Sequence, residues 1–162
     1  MTLTRWKILA ATVLLGALAL PQSTCAGYRA PNGTFVAAVP RDVPPAGYEP
    51  TVHRDYAFDD FQVTDPGSWF QVAIFLWPLP LLILAARSRS ARVRAYIRVL
   101  DPVLALCAGY LVWFSASLFA EPAVGAYVAV GALTVYFAAS AVDLWRVWRA
   151  RRAPVERRLT SA

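Results

Sequence analysis

From Asp101 to Trp145 the chain reads DPVLALCAGYLVWFSASLFAEPAVGAYVAVGALTVYFAASAVDLW, two long apolar runs divided by Ala120, Glu121 and Pro122. Each run opens on an acidic residue followed by proline, and so does a third, in which Asp65 and Pro66 precede Ser68 to Ala86. An acidic N-cap accepts from the first free N–H groups, proline at the first helical position forfeits no hydrogen bond, and the negative charge suits the positive end of the helix dipole. The runs are about 18 to 23 residues long, which at 1.5 Å per residue matches a hydrocarbon core of about 30 Å. The expected fold is an all-α integral membrane protein with three transmembrane helices, over about 69–86, 102–119 and 122–145.

Composition points the same way. Of 162 residues 58% are hydrophobic and 16% charged, against about 45–50% and about 25% in a soluble domain. One His and two Cys exclude a bis-histidine membrane haem and a CxxC redox pair. The chain has no P-loop, nucleophile triad, metal-binding cluster or zincin motif, so a non-enzyme is expected, with no cofactor and no metal.

Residues 1–26 carry Arg5 and Lys7, an apolar stretch from Ile8 to Leu20, and a small-residue exit ending at Cys25 and Ala26. These are the parts of a secretory signal peptide, with cleavage expected after Ala26. A retained anchor helix over Trp6 to Ala26, which makes a fourth span, and lipidation at Cys25 are the alternatives.

Residues 27–68 differ in kind, with six Pro, four Gly and six acids. Prolines stop long helices, so a short, irregular, Pro-rich extracytoplasmic segment is expected. Asn32-Gly33 is a tight-turn dipeptide, and Thr34 to Val39 after it suits one strand of a small hairpin. The aromatics of this segment exceed what a solvated linker needs, and 42 residues cannot bury a core alone. Tyr48, Tyr56, Phe58 and Phe61 are therefore candidate partner-binding residues.

Arginines set the orientation. Arg5 and Lys7, five Arg between Arg87 and Arg98, and six after Trp145 together make 13 of the 16 basic residues. The positive-inside rule puts the N-terminus, a basic loop over 87–98 and a basic tail over 146–162 in the cytoplasm, with 27–68 and the 120–122 turn outside. The multi-pass protein is expected in the cell membrane, and its Arg- and Ala-rich, Lys-poor composition suggests a bacterial inner membrane. Juxtamembrane arginines are expected to touch anionic lipid and not nucleic acid.

Within the apolar runs, Asp143 is the one carboxylate, and Arg146 one turn later is its expected ion-pair partner at the membrane border. Pro78 and Pro80 interrupt the first run and should kink or break its helix. Ala105, Gly109, Val112, Ala116 and Phe119 recur at 4-3-4-3 spacing, as do Gly125, Ala129, Ala132, Tyr136 and Ala139. Small residues so spaced let helix backbones approach, within the hairpin or against a partner's helix, which makes Gly109, Gly125 and Ala129 candidate contacts. The function expected is a non-catalytic accessory or structural subunit of a larger membrane complex, an energy-transducing one being the narrower form of that expectation. Its partners would be lipids and other integral membrane subunits, in an oligomer or hetero-complex. The alternative is a small oligomeric transporter or channel using the Pro-broken helix and Asp143.

Overall fold

The computed structural model describes residues 2–37, 46–58, 61–118 and 121–159, the last nine by backbone alone. In chain order the elements are α1 (Leu3–Ala17), β1 (Pro21–Arg29), β2 (Phe35–Ala37), β3 (Glu49–Tyr56), α2 (Pro66–Leu76), α3 (Pro78–Arg87), α4 (Ala91–Ser117), β4 (Glu121–Pro122) and α5 (Val124–Leu159). The protein is mostly helical with a small sheet. Over Ala91–Ser117 and Val124–Ala150, α4 and α5 are each long and apolar enough to cross a membrane. Only as a pair do α2 and α3 reach that standard, and they are bent by 54°. The 15 residues of α1 give about 22 Å of helix.

The helices turn many small residues inward and many large apolar ones outward. Buried positions on α4 include Ala105, Ala108, Val112 and Ala116; on α5 they include Ala126, Ala129, Ala132, Leu133 and Ala139. Leu106 and Tyr110, by contrast, are 62% and 66% exposed. A soluble bundle hides its largest apolar side chains, whereas helices in lipid gain by close backbone approach and leave Leu, Tyr and Trp facing the acyl chains. α1 joins this core through Ala10, Ala11, Leu14 and Ala17.

The helix starts follow the sequence signals in one case of three. Asp65 caps α2 as expected, with Pro66 next, and its carboxylate accepts from the Gly67 N–H at 3.2 Å and the Ser68 N–H at 2.9 Å. α4 instead begins at Ala91, capped by Ser90, and Pro102 lies inside the helix with Asp101 buried beside it. The supposed loop over 87–98 is thus helical from Ala91 onward. Arginine is a good helix former, and its charge specifies a side of the membrane without specifying a loop. α5 begins at Val124, because Glu121 and Pro122 form β4 and are already paired with Thr24 and Ser23 of β1. The predicted end at Phe119 and the turn residue Ala120 lie outside the described residues, as does Val39.

The Asp65 carboxyl is held below its ordinary value of 3.8, first by the Gly67 N–H, then by the Ser68 N–H and the Ser68 hydroxyl. A depressed carboxyl stabilises the fold above its unfolded value and stops doing so as pH falls through its folded value. Asp65→Ala should therefore lower the thermal unfolding temperature at pH 7. The gap to the parent protein should narrow as pH drops below about 4, read by unfolding scans across pH.

The segment expected to be irregular is a sheet, so the protein is not all-α. β1 is its central strand: β3 lies antiparallel along one edge from Arg29↔Glu49 to Pro21↔Tyr56, while β2 and β4 share the other. The Asn32-Gly33 turn joins β1 to β2 as anticipated, Gly33 taking φ 85°, which suits glycine in a tight hairpin. Pro50 is accommodated because β3 is an edge strand. The partner of β1 was not legible, since pairing it with residues 20 to 35 positions onward leaves no local pattern. Ala26 and Cys25 sit in mid-strand, opposite Val52 and His53.

Candidate functional site

Lys7 and Asp101 meet in the helix bundle. Their faces are set by helical spacing: Lys7 shares one side of α1 with Ala10, Ala11, Leu14 and Ala17, and Asp101 shares one side of α4 with Ala105, Ala108, Val112 and Ala116. Packing these small-residue faces brings Lys7 Nζ to 2.8 Å from Asp101 Oδ2, with side-chain exposures of 9% and 3%. Lys7 Nζ also lies 5.7 Å from the ring centroid of Tyr136, within cation–π reach. At the helix break, Trp77 meets the same Tyr136 edge-on, with centroids 5.3 Å apart.

Isolated charges are very costly in an apolar bundle, and a paired one is retained only with good geometry and further polar contacts. Here the pair is short, but its surroundings are incompletely satisfied. The Tyr136 hydroxyl, Asp101 Oδ1, Trp77 Nε1 and Ser140 Oγ are buried without a hydrogen-bond partner among the described residues. The result is a compact polar centre built from α1, the α2–α3 break, α4 and α5.

On one side the pair borders a cleft of about 240 Å³, walled by Leu3, Leu82, Ile97 and neighbouring alanines and lined also by Arg94, Arg98 and Asp143. Arg94 Nη1 donates to the Ser88 carbonyl at 2.7 Å, which ties α4 to the end of α3. Asp143 pairs with Arg98 of α4, Nε to Oδ2 at 3.4 Å, in place of the expected partner Arg146. A neighbour on the adjacent packed helix reaches Asp143 where the residue one turn along does not.

The remaining predicted residues fall into two groups. Gly125 and Ala129 are used inside the chain and present no face to a partner: Ala129 is fully buried, and Gly125 packs on the backbone at Leu20 and Pro21. Gly109 packs within the hairpin too, a Cβ placed there lying 3.9 Å from Leu133. The outer aromatics remain on the surface. Tyr56 and Phe58 are exposed, Tyr48 is half-buried, and Phe61 packs edge-on with both Phe58 and Trp69. Pro78 is buried at the α2–α3 break, and Pro80 follows within α3.

Sequence reasoning missed Lys7 and Asp101. Lys7 was absorbed by the basic start of a signal-like segment, and Asp101 by its likeness to an acidic N-cap. The signal that finds them is a charged residue in register with a stripe of alanines. Among the described residues, no group of three or more His, Cys, Asp or Glu side chains is placed to hold a metal ion. Comparison with protein-family models, with curated proteins and with solved structures found no match for this chain.

Proposed function

We propose that the chain is a non-catalytic subunit of a larger membrane assembly, crossing the bilayer with α4, α5 and the bent α2–α3 pair and keeping α1 as a fourth, packed helix. The observation that carries the reading is a sheet that the described residues leave largely unburied. Of its residues only Gly27 is buried, with Ala30 and Ala57 buried just beyond its strands. A small sheet gains stability from a covering layer, and this one has exposed Val52 and Tyr56 on β3 and exposed Phe58 just beyond it.

Retention of α1 is supported by its place in the core and by Lys7. Cleavage after Ala26 would cut the central strand and leave Asp101 without its counter-charge. The pairing of β1 with β4 puts the outer segment and the α4–α5 turn at one end of the bundle, while Lys7, Arg94, Arg98 and Asp143 gather around one cleft. The arginine asymmetry supports placing that cleft on the cytoplasmic side, and the Arg- and Ala-rich, Lys-poor composition supports a bacterial inner membrane.

Solubilising the native membrane in mild detergent and isolating the protein through a C-terminal tag tests the reading. A defined larger assembly containing the chain near one-to-one with an integral membrane partner is the expected result. Recovery of the chain alone, or only as its own oligomer, would overturn it. The helix break beside the buried pair would then favour the small transporter.

A further inference from the structure

We propose that the cleft beside Lys7 and Asp101 binds a phosphate-bearing anion, supplied by the headgroup of an anionic phospholipid. The inference rests on the membrane placement of α4 and α5 and is independent of whether the chain has a protein partner.

Charge is the first argument. Lys7, Arg94 and Arg98 line the cleft against Asp101 and Asp143, leaving one positive charge in excess. Arg94 and Arg98 stand one turn apart on the same face of α4, a like-charge pair that costs stability and that Asp143 offsets at Arg98 alone. Their existing partners leave capacity: Arg94 gives one N–H to the Ser88 carbonyl, and Arg98 holds Asp143 at a loose 3.4 Å while both side chains stay partly exposed. A guanidinium has five donors in a planar fork, which matches phosphate oxygens.

Shape and surroundings are the second argument. The volume of about 240 Å³ lies below the range of about 300–1,000 Å³ of pockets for drug-sized molecules, and suits a headgroup. Leu3, Leu82 and Ile97 give the cleft apolar walls, where acyl carbons can lie and a soluble anion gains nothing. Basic pockets between membrane helices on the cytoplasmic side take anionic headgroups for these reasons.

The test uses the full chain in detergent, with native mass spectrometry of bound lipid after addition of phosphatidylglycerol or phosphatidylcholine. The parent protein should retain phosphatidylglycerol over phosphatidylcholine by about fivefold, the effect of one basic residue near an anionic surface. Arg98→Gln should abolish most of that preference and Asp143→Asn should increase it, opposite changes that misfolding cannot produce together. Arg92→Gln, an exposed arginine of α4 outside the cleft, should leave it unchanged.

Equal retention of the two lipids, or equal loss in Arg92→Gln and Arg98→Gln, would overturn the proposal. Inorganic phosphate that displaces phosphatidylglycerol at equal concentration in an Arg98-dependent way would overturn the lipid source.

Discussion

Lys7→Ala is expected to lower the stability of the folded protein by about 3–5 kcal/mol, read as a large drop in thermal unfolding temperature in detergent. The substitution leaves the Asp101 carboxylate in place, 3% exposed, with no cation beside it. Oδ2 loses its 2.8 Å partner, and Oδ1 already has none among the described residues. A carboxylate so deeply buried without a counter-charge is costly, and that cost falls on the stability of the bundle.

The companion variant isolates the cause. Lys7→Met with Asp101→Leu removes both charges at similar volume and is expected to be neutral or more stable by about 1–4 kcal/mol, because the cost of desolvating two ions disappears with their attraction. A Lys7→Ala protein within about 0.5 kcal/mol of the parent, the range of ordinary surface substitutions, would mean that Lys7 is absent from the mature chain or that the pair is solvated. Intact-mass measurement separates these, since cleavage after Ala26 removes Lys7 altogether.

The second large effect is expected at Gly125. A Cβ at this position would stand 2.5 Å from the Gln22 amide nitrogen, 2.6 Å from the Pro21 carbonyl oxygen and 2.8 Å from that of Leu20. Two of these three neighbours are backbone. The third is a side chain already donating to the Ala17 and Leu20 carbonyls at the end of α1. Just before it, the Ala123 N–H donates to the Gln22 carbonyl at 3.0 Å, so the start of α5 is fastened to the α1–β1 turn where Gly125 must approach.

Gly125→Leu should therefore push α5 off that turn. A destabilisation of about 3 kcal/mol, the upper part of the range for overpacked sites, is the expected outcome in the same unfolding assay. Gly131→Leu supplies the comparison. Gly131 lies on the exposed side of the same helix with nothing within 4 Å of a Cβ, so that change should stay within about 0.5 kcal/mol of the parent. Equal behaviour of the two variants would mean that α5 does not dock against the turn between α1 and β1.

Particular residues show how far the sequence carried. Asp65, Pro66, Pro78 and the Asn32-Gly33 pair act within a few positions of themselves, through capping, a lost N–H or a positive φ, and their effects were legible. So was the length of the apolar runs, and with it the two membrane-length helices. The same local logic misread Asp101-Pro102. A helix can tolerate an internal proline when neighbouring helices cover it, and no rule confined to one helix can say whether they do.

By itself, then, the sequence determined the amounts of apolar helix, the place of the break at Pro78 and the cap at Asp65, because those depend on backbone sterics and hydrogen bonds between near neighbours. The tertiary structure alone decided that Lys7 finds Asp101, that Arg98 and not Arg146 takes Asp143, and that β1 pairs with β3 and β4. Those pairings join residues up to 99 positions apart, and they follow from which faces pack together, a choice in which every element constrains the others.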